Sequence, residues 1–184
     1  MDPSQNHTNV FINKRMYMIG GYLTKEGVLT PRGDVLMYDK RCSTWKPAAP
    51  LLTARMYHCL CVINGQIYAL GGIGEDHSIL NSVECYNPSF NCWYFVKAMT
   101  EGGMGACAAE FGGQLYIAGG YGVSMGKSEP FSILNSVECF HPHSNKLTPK
   151  LNMRYGRCYA SLVSVDQSLY LCGGYAINPR SHDH

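Results

Sequence analysis

The chain has 184 residues, of which 46% are hydrophobic, 11% aromatic and 15% charged, and its formal net charge is +2. That length supports one sizeable core, and the low charged fraction suits a protein with much buried strand. The Lys and Arg are too few and too scattered for a nucleic-acid or anionic-membrane partner, and no apolar run approaches the roughly 18 residues needed to span a bilayer.

Residues 1–7 are polar and read as a disordered N-terminus. They hold no basic stretch followed by an apolar one, so no secretory signal is visible and a cytoplasmic location is expected. Residues 8–12 and 15–19 read as strands joined by Asn13-Lys14. Residues 22–33, with Gly27, Pro31 and Gly33, read as a loop. A third strand covers 34–39, and a short fourth lies around Trp45. The next unit repeats this with strands at 54–63, 66–70, 81–86 and 92–96 and a loop at 73–79. A third unit has strands at 106–111, 114–118 and 135–140 and a long loop at 121–131; its fourth strand is weak, since Leu147 replaces the Trp. Strands at 157–165 and 168–172 open a fourth unit, after which residues 176–184 form an irregular tail.

Residues 13–21, 64–72, 112–120 and 166–174 are copies of one design: a two-residue turn, an apolar strand with Tyr17, Tyr68, Tyr116 or Tyr170, and a Gly pair. The pairs are Gly20-Gly21, Gly71-Gly72, Gly119-Gly120 and Gly173-Gly174, a period of about 50 residues. From Trp45 to Gly71, Trp93 to Gly119 and Leu147 to Gly173 the interval is always 26 residues, whereas the other half of each repeat varies from 22 to 28. Even spacing without helical periodicity predicts a β-propeller with repeats at about 8–48, 49–97, 98–148 and 149–175, three and a half four-stranded blades of an incomplete ring. Bare blade faces at its ends predict self-association.

A Gly pair, a loop, then Ser-Val-Glu-Cys-Tyr-Asn-Pro at 82–88, Trp93 seven residues after Tyr86, and an Arg sixteen residues before the next Gly pair resemble the kelch repeat. The wording looks most like the Kelch-like proteins, which join BTB and BACK domains to a kelch propeller. The resemblance implies a partial kelch-type β-propeller acting as a non-enzymatic protein-binding module without cofactors. It would be the target-gripping half of a cullin-RING ubiquitin ligase adaptor. An actin-associated cytoskeletal kelch protein, or a truncated form with no activity of its own, stays open beside it.

The family's binding face implies roles for an Arg that pairs with acidic groups of a target and for a Tyr after the Gly pair. Arg55 and Arg157 match the Arg, with Gly103 in the third place; Tyr22, Tyr121 and Tyr175 match the Tyr, with Ile73 departing. Two readings stand for the arginines: target contact, which suits a rigid guanidinium fork, or a structural Arg bonding loop carbonyls near the channel mouth. His58 is either a donor at the face or a solvated side chain.

The four strand tyrosines, Trp45 and Trp93 read as packing residues, and Glu84 and Glu138, at one repeated position, as scaffold. Glu110 sits where a small or apolar residue is expected. Nine cysteines, an odd number without C-x-x-C, read as free and mostly buried. His141-Pro-His143 and His182-Asp-His184 lack a third ligand at convincing spacing, so no metal is expected. Sialidase boxes and hydrolase, metalloprotease and phosphate-loop motifs are absent from the sequence, and no enzyme activity is expected.

Overall fold

A computed structural model describes residues 7–123 and 131–176. The expected disorder of the N-terminus and the irregular tail therefore fall almost wholly outside the described residues, as does the middle of the third unit's long loop.

The turns set the pattern. Asn13 and Lys14, Asn64 and Gly65, and Gly112 and Gly113 all take positive φ, between 49° and 73°. This is the twist that closes a tight antiparallel hairpin. In the first sheet β1 (Thr8–Ile12) pairs with β2 (Arg15–Ile19). A small hairpin of β3 (Tyr22–Lys25) and β4 (Val28–Pro31) follows, and β5 (Val35–Asp39) and β6 (Thr44–Pro47) complete the order β1-β2-β5-β6. The second sheet is β7 (Cys59–Ile63), β8 (Gln66–Leu70), β9 (Val83–Asn87) and β10 (Cys92–Phe95), side by side in that order.

The third unit starts with a two-residue strand, β11 (Gly103–Met104), followed by β12 (Cys107–Phe111) and β13 (Gln114–Ala118). Here β14 (Tyr121–Val123) and β15 (Phe131–Ile133) join β11 in a small sheet, while β16 (Val137–His141) and β17 (Lys146–Pro149) finish the main one. Last come β18 (Ser161–Val165) and β19 (Ser168–Cys172), paired only with each other. The architecture is all-β: three four-stranded propeller blades and the inner half of a fourth, with no closed sheet.

Four expectations need correction. The described ends of the expected loop at 121–131 are strand, Tyr121–Val123 in β14 and Phe131 in β15. Residues 22–33 are not a loop, because Glu26 and Gly27 both take positive φ and fold the segment into the β3-β4 hairpin. The strand around Leu147 is regular, pairing with β16 over four residues. The first strands of the later blades begin at Cys59, Cys107 and Ser161, where 54, 106 and 157 were expected, and the segments ahead of them build the channel mouth described below.

The core lies between blades. Side chains alternate across β8, so Ile67 and Ala69 pack with Ile12, Tyr17, Ile19 and Trp93, while Tyr68 and Leu70 pack with Leu115, Ile117 and Phe140. Tyr17 meets Tyr86 edge-on at 5.7 Å, and Tyr68 meets Phe140 at 5.8 Å. A second-strand Tyr is thus covered by the third-strand aromatic of the next blade. Tyr170 has no such cover and is 53% exposed, contrary to the core role expected of it. Trp93 is buried and donates its indole N–H to the carbonyl of Ala49 at 2.9 Å, whereas Trp45 is 39% exposed and lies 5.3 Å from Tyr38 of its own sheet.

All nine cysteines are free; Cys61, Cys85, Cys107, Cys139 and Cys158 are buried, and Cys172 is exposed on the half-blade. Burial pushes the Cys107 thiol up to about 11, which keeps it protonated and inert near neutrality.

The Gly pairs sit where the next blade presses closest. A Cβ on Gly71, at φ 60°, would run into the carbonyl of Gly103, whereas the equivalent Gly173, at φ 69°, has nothing within 4 Å.

Candidate binding face at the channel mouth

The segments leading into β7, β12 and β18 meet at one end of the propeller, and backbone hydrogen bonds lock them together. The N–H of Gly21 donates to the carbonyl of Arg55 at 3.1 Å, that of Gly72 to Gly103 at 2.9 Å, and that of Gly120 to Arg157 at 2.8 Å. Two residues further on, a second circuit runs from blade to blade. Gly105 N–H donates to the Tyr57 carbonyl at 2.9 Å, and Tyr159 N–H to the Gly105 carbonyl at 2.7 Å.

This collar holds Tyr57, Gly105 and Tyr159 with φ of 56°, 62° and 54°. Bulky side chains rarely adopt that left-handed conformation, and it persists where surrounding contacts over-determine it, often at functional sites. The Tyr57 ring lies 5.8 Å from Tyr22 and 6.4 Å, edge-on, from Tyr159. Gly105 makes that meeting possible, since a Cβ there would come within 2.8 Å of the Tyr159 ring. Tyr57 and Tyr159 also line a hollow of about 250 Å³ together with Thr8, His58, Gly105, Ala106 and Ala160. Tyr159 is half exposed, and burial raises the hydroxyl pKa of both Tyr57 and Tyr159, so both stay protonated donors.

The residues singled out from sequence divide into three groups. Tyr22, Tyr121 and Tyr175 do flank the mouth: Tyr22 joins the aromatic row, Tyr121 pairs with Met104 and stacks on Phe131 at 6.5 Å, and Tyr175, 76% exposed, bridges to Cys158. Ile73, in the corresponding place, bridges Met56 and Ile79.

Arg55 belongs to a different group, because it is fully buried. Its Nη1 donates to the carbonyls of Gly71 at 2.9 Å and Ser82 at 3.2 Å, and its Nη2 to Ser82 Oγ at 3.1 Å and Glu84 Oε1 at 2.6 Å. Glu84 also accepts the N–H groups of Leu52 at 2.7 Å and Thr53 at 3.0 Å. Burial pulls the guanidinium pKa down and the Glu84 charge opposes it. With every donor direction engaged inside its own blade, Arg55 is the structural Arg and not a contact for a target. Glu138 sits in the same seat of the third blade without an Arg, accepting the Thr100 N–H on both oxygens at 3.2 Å. Arg157 is half-buried and donates to the Gly173 carbonyl at 2.8 Å.

His58 is the third case. It is buried rather than solvated or presented to a partner, and neither ring nitrogen has a hydrogen-bond partner among the described residues. Burial and the nearby Arg55 charge outweigh the carbonyls of Arg55 and Ile19 and pull its pKa down to about 3. Among the described residues no group of three His, Cys, Asp or Glu could hold a metal; the His141 ring bonds Thr148 Oγ1 at 3.1 Å instead.

Residues 6–184 match the family described as the KLHDC2/KLHL20/DRC7 Kelch-repeats domain. The chain belongs to the kelch-repeat family. Kelch repeats generally form non-enzymatic interaction domains that bind protein partners. Similar kelch proteins include alpha-scruin of Limulus polyphemus, 29% identical over 95% of this chain and 19% of its own length. Kelch-like protein 26 of Danio rerio is 31% identical over 86% of this chain and 25% of its own length. The F-box/kelch-repeat protein At1g67480 of Arabidopsis thaliana is 30% identical over 74% of this chain and 36% of its own. The kelch chain thus spans between a fifth and about a third of these relatives. No helix among its described residues is long and apolar enough to cross a membrane.

Tyr57 and Tyr159 are the residues that sequence reasoning passed over as a site. A signal existed: Tyr57, Gly105 and Tyr159 each stand 14 residues before a Gly pair.

Proposed function

We propose that this kelch chain is a protein-binding module that grips a cytoplasmic target with the aromatic mouth of its channel, in the manner of the substrate-recognition propeller of a ubiquitin ligase adaptor. The row Tyr22-Tyr57-Tyr159 carries this reading, because two of its rings are held in a strained backbone by the collar. Rigid tyrosines supply contact area at low entropic cost, and such residues dominate interface energies. The Kelch-like and F-box/kelch-repeat relatives support the adaptor role. Recognition rests on Tyr22, Tyr57, Tyr159, Tyr121 and Tyr175, with Arg157 as the accessible cation of the pair first singled out.

Proteins retained by the wild-type chain in a pull-down are expected to be lost, by tenfold or more, with a Tyr57→Ser, Tyr159→Ser double variant. A Phe90→Ser control, on an exposed turn between β9 and β10, is expected to retain them. Equal recovery by all three proteins overturns the reading. Co-sedimentation with actin filaments that is unaffected by the Tyr changes would instead favour the cytoskeletal role.

A further inference from the structure

The first blade gathers cations at the end away from the mouth. Its β2 runs from Arg15 up to Ile19, and β5 returns beside it with Tyr17 opposite Met37, so the Asn13-Lys14 turn and the residues after Asp39 meet at the far end of the sheet. There they enclose a cleft of about 410 Å³ whose walls carry Lys14, Arg15, Lys40 and Arg41, all exposed. Thr8, opposite Ile19, and Tyr175, bridged to Cys158, both lie at the mouth, so the cleft is remote from either end of the described chain.

Among the described residues no carboxylate pairs with the side chain of Lys14, Arg15, Lys40 or Arg41. The acid beside them, Asp39, is already engaged, accepting Lys46 Nζ at 2.6 Å and the Arg41 N–H at 2.9 Å. Arg15 Nη1 reaches the Met37 sulfur, a weak acceptor, at 3.7 Å. Five cations, Lys46 included, and one carboxylate give this end of the blade a local charge of +4, against +2 for the whole chain. The scaffold does not require that charge. A cleft of about 310 Å³ recurs at the same end of the third blade, between residues 112–114 and 141–144, and no Lys or Arg lines it. The third blade packs on both sides, against β7 and β18, so the opening belongs to the turns and not to the first blade's place in the row. Lys14 also holds φ 62° at a turn position that Gly65 and Gly113 fill at φ 73° in the next two blades. A side chain costs stability there that glycine avoids.

We propose that this cleft is a docking site for an acidic segment of a partner protein, a short run of Asp or Glu lying between Lys14 and Arg15 on one wall and Lys40 and Arg41 on the other. Charge-assisted hydrogen bonds from the four side chains hold the carboxylates, and the local excess of positive charge steers the segment in. Four unpaired cations exceed what one carboxylate answers, which is why the occupant is a run of acids. A nucleic acid fits poorly, because its backbone needs a longer track of cations than one cleft supplies. The site is separate from the aromatic mouth and can be filled while the mouth is occupied.

The test is fluorescence anisotropy of the whole chain at low salt with a labelled peptide of alternating Glu and Gly, and with the same peptide bearing Gln for Glu. Saturable binding of the Glu peptide is expected, weakened about tenfold or more by the Gln replacement and again by added salt. Arg15→Glu with Lys40→Glu is expected to weaken the Glu peptide by about tenfold or more, whereas Lys25→Glu with Lys97→Glu, the same change in net charge on exposed residues outside the cleft, alters it by less than about threefold. Lys14→Gly is expected to raise the Tm by about 2 °C while weakening the peptide about threefold, so the loss is read in a protein that folds at least as firmly. The Tyr57→Ser, Tyr159→Ser variant is expected to bind the Glu peptide normally, which separates this cleft from the channel mouth. Absence of saturable binding, equal affinity for the Glu and Gln peptides, or equal losses in the two charge-reversed proteins overturns the proposal. A phosphoserine peptide or an oligonucleotide of the same charge that binds about tenfold more tightly than the Glu peptide also overturns it, in favour of a phosphate site.

Discussion

Replacing Arg55 with Met is expected to lower stability by about 3–5 kcal/mol, because it strands the buried Glu84 carboxylate without its cation. For a chain of this size the fall in Tm is on the order of 10 °C. Attraction is not the main source of that cost. A buried ion pair gains little over well-packed apolar groups, but half of one is expensive. An Arg55→Met, Glu84→Leu double variant is therefore expected to recover part of the loss, though the N–H groups of Leu52 and Thr53 then lack their acceptor. Urea unfolding midpoints for the two single variants and the double one decide the matter. Were Arg55 a target contact, the single variant would unfold within about 0.5 kcal/mol of the wild type.

Acid is expected to unfold the protein earlier than its carboxylates alone dictate. His58 holds a pKa of about 3 in the fold, against an ordinary value near 6.5 once the chain unfolds. Between those values the unfolded state binds the extra proton, so stability falls as pH drops through the window from about 6.5 towards 3. The slope is about 1.4 kcal/mol per pH unit for one such group. Lys46 and Ser78 hold the carboxyls of Asp39 and Asp76 low, so these weaken the fold only in more acid solution, and the slope between pH 6.5 and 5 reports His58. His58→Leu is expected to flatten that slope while leaving neutral-pH stability equal or higher, since two unpaired ring nitrogens leave the interior. Chemical denaturation at half-unit pH steps measures it; an unchanged slope in the variant overturns the assignment.

The scaffold was largely legible because its determinants are local. Turn residues such as Asn64-Gly65, alternating apolar strands and Gly pairs specify hairpins over a few residues, and the constant 26-residue interval fixes their phase. What escaped was set by distant partners. Arg55 stays open between a target contact and a structural Arg until Glu84, 29 residues later, folds against it. Tyr170 and Trp45 follow the pattern of their buried counterparts, yet burial comes from a neighbouring blade, not from the repeat itself. The β3-β4 hairpin hid behind Gly27, Pro31 and Gly33, loop signals that here mark a turn and a strand end. Tyr57 and Tyr159 were hidden by their backbone, whose left-handed conformation only Gly105 at the matching repeat position announces.

The placement of the apolar clusters has a last consequence, for how the molecule comes apart. Each sheet contributes to a core only with its immediate neighbours: one cluster joins the first and second sheets, another the second and third. Such a chain behaves as a row of coupled units whose cohesion is nearest-neighbour. The second sheet, clamped on both faces, should open only when the whole chain does, whereas β18 and β19, which among the described residues pair only with each other, can detach alone. The rings of the mouth thus lie on units of unequal rigidity, Tyr57 beside the most cohesive and Tyr159 on the least, so that grip on a ligand would also fasten the loosest part of the molecule to its firmest.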